Sequence, residues 1–329
     1  MSGERKHYIQ VTYNGVDAYK MIDPYMSQFT YIDSVDESDT ISLSLTDRDL
    51  RWVASWIPQK GDVILPSIIL ENWNYLSEKM TFLCGSFVVD DFSFTGPPAE
   101  GSINGVSAPV STSFKESDNT KTWTHTNLRV IASEIAGKYG LELRYDIKKD
   151  IPIAKIEQSR QTDADFLRQL CQKYGLGIKV YSNRLVIWDY REYFALPPTI
   201  VLTPDQVSKW TYKSTMQGTY TGARISYTVP KSKKTVDVIV GTEERLYKAN
   251  QKADSEADAR LIGEGALISA NRKAVTMQIM LPPKLSLAAT NTVQISGFGN
   301  MDGKYFIEKV THSMTKKNYT MQLNLSRVD

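Results

Sequence analysis

The residues of this 329-residue chain that could do chemistry are three histidines, two cysteines and many carboxylates. His7, His125 and His312 lie far apart, and none sits in an HExxH spacing or beside a cysteine pair, so no metal centre is expected. Neither a GxSxG elbow nor a GxxxxGK(S/T) phosphate loop occurs. A glycosidase-type acid and base need only two carboxylates a few ångströms apart, and Asp90-Asp91 is the tempting pair. Adjacent strand residues face opposite sides, however, so a solvated edge or a salt bridge is expected there. Asp36, Glu37 and Asp39 read as a solvated turn. Lys231, Lys233 and Lys234, the one compact basic run, read as a hairpin tip in water. Cys84 and Cys171 fall within apolar patterns and are expected as buried free thiols. No catalytic residue and no cofactor is expected.

Bulk properties point to a protein partner. The 39 basic and 37 acidic residues leave a net charge of +2, too little to draw the chain to nucleic acid or an anionic membrane. No stretch approaches the roughly 18 apolar residues of a membrane span. The start, Met1 to His7, runs straight into polar alternation and reads as neither a signal nor a transit peptide, so synthesis and assembly in the cytoplasm are expected. The triplets beginning at Asn318 and Asn324 therefore carry no glycosylation signal. Trp52 and Trp56, at helical spacing, and the cluster Trp73 with Tyr75 are expected to be core or subunit-contact anchors, with a stacking surface for sugar or bases as the alternative.

The length calls for two or three domains. Ile9, Val11 and Tyr13 alternate before an Asn14-Gly15 turn, and Ile41, Leu43 and Leu45 alternate again, so the first part reads as β. Gly96-Pro97-Pro98, Gly101, Gly105 and Pro109 then mark a loop crossing between domains over Thr95 to Asn119. Two helices follow with the same ending, Lys138-Tyr139-Gly140-Leu141 and Lys173-Tyr174-Gly175-Leu176, and each leads into strands. After Pro197-Pro198, β patterning resumes and is interrupted by one helix near 254–270, capped by Ser255 with Asp258. The expected organisation is a β domain over 1–112 with a Gly/Pro-rich exit loop, a small α/β domain over 113–197, and a second β domain over 198–329 carrying the helical insertion. The run Gly85-Ser86-Phe87-Val88-Val89-Asp90-Asp91-Phe92-Ser93 also returns as Gly303-Lys304-Tyr305-Phe306-Ile307-Glu308-Lys309-Val310-Thr311, so the two β domains are read as related.

The run Gly297-Phe298-Gly299-Asn300-Met301-Asp302-Gly303 through His312-Ser313, followed by Tyr319 to Leu325, resembles the closing segment of the phage late control protein D family. Members of that family are baseplate hub proteins of contractile tails. Cys84 to Asp90, Gly96-Pro97-Pro98 with Ser107-Ala108-Pro109-Val110-Ser111, and Glu157-Gln158 through Cys171 resemble the hub of prophages of Gram-positive bacteria. The resemblance marks Gly85, Phe87, Asp90, Gly96, Pro97, Pro98, Phe298, Asp302, Gly303, Tyr305, Phe306 and His312 as structural positions. It implies a mainly β, α+β fold with two related antiparallel β-barrels of tail-tube type flanking an α/β domain. It also implies a homotrimer whose six quasi-equivalent barrels join a tail tube or tube initiator to a central spike. The spike would be a separate polypeptide, and the tape measure protein a further neighbour. A structural hub in the baseplate of a phage or of a headless contractile bacteriocin is therefore expected, with a peptidoglycan-degrading tail enzyme or a receptor-binding tail module as alternatives.

Overall fold

A computed structural model describes residues 4–35, 37–107, 113–228 and 235–328. Asp36, the motif residues Ala108 to Ser111, and Lys231, Lys233 and Lys234 lie outside the described residues. The first β unit contains β1 (Lys6–Tyr13), β2 (Val16–Asp17), the short α1 (Tyr19–Ile22), β3 (Met26–Ser34), β4 (Thr40–Thr46), β5 (Val63–Glu71), β6 (Lys79–Leu83), β7 (Phe87–Thr95) and β8 (Glu100–Val106). Asn14 and Gly15, at φ +47° and +81°, form the left-handed pair that a two-residue hairpin requires. On β4 the predicted alternation appears as buried Ile41, Leu43 and Leu45 between half-exposed hydroxyls. One face therefore belongs to a core.

The α/β unit repeats a strand, helix, strand motif. Its elements are α2 (Ser113–Glu116), β9 (Asp118–Asn127), α3 (Leu128–Lys138), β10 (Glu142–Asp146), β11 (Pro152–Thr162), α4 (Asp163–Lys173), β12 (Leu176–Tyr181), β13 (Arg184–Asp189) and α5 (Tyr190–Ala195). β9 pairs antiparallel with β11, while β13 lies between a parallel β10 and an antiparallel β12. Both main helices start on a side-chain cap. Asn127 Oδ1 accepts from the Val130 amide at 2.9 Å, and Thr162 Oγ1 from the Asp165 amide at 3.1 Å. Both end before a left-handed glycine, Gly140 at φ +65° and Gly175 at φ +67°.

The remainder comprises β14 (Ile200–Leu202), β15 (Lys209–Ser214), β16 (Gly222–Thr228), β17 (Thr235–Gly241), β18 (Leu246–Ala253), α6 (Glu256–Asn271), β19 (Val275–Leu281), β20 (Thr292–Ile295), β21 (Gly303–Thr315) and β22 (Tyr319–Arg327). β14, β15 and β19 to β22 join the first β unit in one 14-stranded sheet, because β21 pairs with β3. Each β unit keeps its own apolar core. One is centred on Phe29, Tyr31, Phe87 and Ile103, the other on Tyr305, Ile307, Val310 and Leu323.

Two expectations are corrected. The first is the exit loop. Glu100–Val106 is strand β8, hydrogen-bonded between β4 and β7, and its glycines sit there because large neighbours lie across them. A Cβ on Gly101 would fall 2.4 Å from the Phe94 ring, and one on Gly105 would fall 3.0 Å from Ile41 and 3.1 Å from Phe87. The second concerns the helical insertion. α6 lies between β15 and β19 in the chain, but with β16, β17 and β18 it packs on the α/β unit. Ala223, Ile225, Val238, Ala259 and Ile262 share one core with α3 and α4. The approach of α6 to the end of α4 is tight, since a Cβ on Gly265 would stand 2.4 Å from the Gly175 nitrogen.

Candidate functional site

The features that could organise an assembly are the echoed strands, and their pairing is repeated residue by residue. Val88 faces Val106 as Phe306 faces Ser326, and Val89 faces Gly105 as Ile307 faces Leu325. Both ladders then skip one residue. Asp90 and Glu308 are the bulges, after which Asp91 faces Asn104 and Lys309 faces Asn324. On the other side of these strands, Ile64 faces Phe87 as Val293 faces Tyr305. The outer strands continue the match. β4 lies on β8 as β19 lies on β22, and β3 on β4 as β15 on β19, which sets Phe29-Thr30-Tyr31 against Trp210-Thr211-Tyr212. Matched positions are buried alike: Phe87 and Tyr305, Val89 and Ile307, Ile41 and Met277, Leu43 and Ile279. The second short echo, Phe-Thr-Tyr against Trp-Thr-Tyr, is a sequence signal that the sequence reading did not use.

The bulge residues have different surroundings. Asp90 is exposed, whereas Glu308 is buried, accepts from Ser326 Oγ and pairs with Arg272 at 3.4 Å. Asp91 is also exposed and accepts from Asn104 Nδ2 at 2.7 Å. The expectation of opposite faces for Asp90 and Asp91 assumed a regular strand; the bulge at Asp90 breaks that alternation.

The motif residues of the second β unit build a rigid corner. The Asp302 carboxylate accepts from the amides of Gly297 at 3.0 Å and Phe298 at 2.6 Å. Gly303 then opens β21, the Tyr305 hydroxyl donates to the Met301 carbonyl at 2.8 Å, and Phe306 packs edge-on against Tyr190 and Phe194 of α5. His312 is buried, stacks on Tyr31 at 5.5 Å and lies 2.7 Å through Nδ1 from the Tyr319 hydroxyl. Burial lowers its pKa to about 4. In the first unit, Gly85 at φ +108° abuts the Tyr181 ring, and Gly96, Pro97 and Pro98 form the turn between β7 and β8.

The aromatic anchors fall into three environments. Trp52 is a core residue, 5% exposed, packed edge-on against Tyr25 and Trp56, so it offers no contact surface. Trp56 is half-buried beneath the Arg51 guanidinium, and Trp73 is half-buried against His7 and Tyr319. Tyr75 stands in solvent, 76% exposed. Around Trp56 the structure shows apolar groups that sequence patterning missed, namely exposed Leu50, Val53 and Ile57. Buried Asp47 shapes that loop by accepting from the amides of Trp52 and Val53, each at 3.2 Å.

Asp39, read as part of a solvated turn, is instead fully buried. Lys179 Nζ donates to Asp33 Oδ1 at 2.7 Å, Asp39 Oδ1 at 2.9 Å and the Ser34 carbonyl at 3.3 Å, while Asp33 Oδ2 accepts from the Ala289 amide at 2.7 Å. Burial pushes the Asp39 carboxyl up to about 7 against the pull of Lys179. Cys84 and Cys171 are buried free thiols whose pKa values burial raises. Among the described residues no group of three His, Cys, Asp or Glu side chains could hold a metal, and no helix is long and apolar enough to cross a membrane.

Comparison with known proteins gives this geometry a context. The phage tail baseplate hub (GPD) family model matches residues 108–318. A probable baseplate hub protein of Escherichia phage 186 is 22% identical over 340 residues, covering 88% of this chain and 84% of its own length. Among solved structures, the 43 kDa tail protein of prophage MuSo2 from Shewanella oneidensis superposes with a TM-score of 0.73 at 13% identity, covering 98% of this chain and 99% of that one. The E. coli c3393 protein, a component of the type VI secretion system, gives a TM-score of 0.58 at 11% identity over 98% of this chain and 76% of that one. The mainly β fold is thus shared with phage tail proteins, and the chain belongs to the phage tail baseplate hub family.

Proposed function

We propose that three copies of this chain form a ring in which six quasi-equivalent β units, each a barrel of tail-tube type, join the tail tube to a separate central spike. The observation that carries the reading is the residue-by-residue repetition of strand pairing and bulge in the two β units. A chain holding two copies of one shape presents six similar faces from three subunits, which matches a three-fold spike to a six-fold tube. Similarity of the fold to a type VI secretion component described as resembling T4 bacteriophage tail proteins gp27 and gp5 supports spike and tube as partners. The tape measure protein is a further neighbour of such a ring. The work is mechanical coupling with no covalent step, and no specific observation favours a wall-degrading or receptor-binding role. The domain division that suits this role is 1–112, 113–197 and 198–329, with β16, β17, β18 and α6 packed onto the middle unit. The chain assembles in the host cytoplasm and ends in the baseplate.

The test is the mass of the purified full-length chain by light scattering, alone and mixed with the tube and spike proteins. A trimer alone, or one that forms on mixing, is expected. A monomer indifferent to every tail protein would remove the ring and reopen the enzyme and receptor-binding readings.

A further inference from the structure

The repeated β units have one junction filled and one open. In the filled junction the second half of β21 pairs antiparallel with β3: Lys309 faces Ser34, Val310 faces Asp33, Thr311 faces Ile32, His312 faces Tyr31 and Ser313 faces Thr30. One residue further, the Val35 amide donates to the carbonyl of the bulge residue Glu308 at 3.0 Å. β7 is the counterpart of β21 and β15 the counterpart of β3. Among the described residues, β7 is held on that side only at Phe87 to Val89, by β5 and the Gly61-Asp62 turn before it, and β15 pairs only with β19. Asp91–Thr95 and one whole side of β15 are therefore unpaired edges.

Side-chain exposure follows the same division. Phe29 and Val35, in the filled junction, are 0% and 1% exposed, while their counterparts Trp210 and Met216 are 45% and 77% exposed. Val310 and His312 are buried, whereas Phe92 and Phe94 are only partly so. An unpaired sheet edge flanked by exposed apolar groups is a template for another strand. The two edges do not fill each other within one chain: β15 ends the sheet path, six strands separate it from β7, and the described residues show no pairing between the two.

Resting on the ring reading, we infer that Asp91–Thr95 of one copy pairs antiparallel with Thr211–Thr215 of the next, in the register that β21 and β3 adopt within the chain. Phe92 then faces Ser214, Ser93 faces Lys213, Phe94 faces Tyr212 and Thr95 faces Thr211. The Phe94–Tyr212 pair takes the place of the stacked His312 and Tyr31 rings. Asp91 comes diagonal to Lys213 across the ladder, a favourable cross-strand charge pair. The Met216 amide meets the carbonyl of the Asp90 bulge, as Val35 meets Glu308. Three such junctions alternate with three internal ones and close the sheet without a free edge.

The experiment is site-directed disulfide formation between Ser93→Cys and Lys213→Cys, both on exposed side chains, with the native Cys84 and Cys171 buried. Directly opposed residues place their Cβ atoms about 4.5–5.5 Å apart, near the span that a disulfide closes. Under mild oxidation the double variant is expected to give covalent trimers on non-reducing gels, and a mixture of the two single variants only covalent dimers. The same readout is made in tail particles assembled in cells, so that a ring dependent on its neighbours is also sampled. A trimeric mass or a particle-bound chain without cross-link would overturn the strand pairing and leave the hub reading standing. A chain absent from particles and monomeric in solution would overturn both.

Discussion

At the scale of single residues, His312 couples the fold to acid. It stands among Tyr31, Phe82 and Tyr319 with Asp33 nearby, and its imidazole is buried and neutral. Burial outweighs the attraction of Asp33, so the folded-state pKa lies at about 4, below the 6.5 of an unfolded histidine. A depressed pKa means that the unfolded chain binds the extra proton first. The stabilising contribution is then complete above pH 6.5 and is lost as pH falls from 6.5 to 4. The full loss is about 3 kcal/mol, from about 1.4 kcal/mol per pKa unit. Thermal unfolding should show Tm falling over this interval, and His312→Phe should flatten that slope while sacrificing the contact to Tyr319. An unchanged slope in the variant would assign the acid sensitivity to other groups.

At the scale of elements, two helical glycines should respond in opposite directions to the same substitution. Gly137 lies on the exposed side of α3 with nothing within 4 Å of an added Cβ, so Gly137→Ala should stabilise by about 0.5–1 kcal/mol through helix propensity. A Cβ added at Gly265 of α6 would meet the backbone of Tyr174 and Gly175 at 2.4 Å, atoms that cannot rotate away. Gly265→Ala should therefore cost about 1–3 kcal/mol by overpacking, more than its propensity gain. Urea unfolding of the two variants beside the wild type decides, and a stabilised Gly265→Ala would refute the tight approach of α6 to α4. The sequence carried the caps of α3, α4 and α6, the alternation of β4 and the strand echo, because each is a local signal with a fixed spacing. β8 was hidden because glycine in a strand has the same letter as glycine in a loop; only the Phe94, Phe87 and Ile41 side chains across it explain its presence. Trp52 was read as a possible contact anchor because burial is not written in residue type. The docking of α6 on the α/β unit was equally hidden, since chain order places it between two strands of the large sheet.

At the scale of the whole molecule, the three units meet at one buried ammonium. Lys179 belongs to β12 of the α/β unit and Asp33 to β3 of the first β unit, with Asp39 just before β4; Asp33 in turn holds the Ala289 amide between β19 and β20. An apolar junction of Val35, Trp188, Tyr190, Ala289 and Phe306 lies beside this cluster. The two kinds of contact make different demands on the joint. Apolar packing holds the units together without fixing direction, whereas a cation shared by two carboxylates admits one geometry. A structural hub needs its units held in one orientation, and a buried cluster that ties the units together through directional hydrogen bonds suits that need. Lys179→Met removes the cation but leaves both carboxylates buried, so a loss of about 3–5 kcal/mol is expected, read from the urea midpoint. Adding Asp33→Asn and Asp39→Asn to Lys179→Met should recover part of it, because the uncompensated charge is then gone. A loss below about 1 kcal/mol for Lys179→Met, within the range of an exposed pair, would assign the joint to the apolar junction alone.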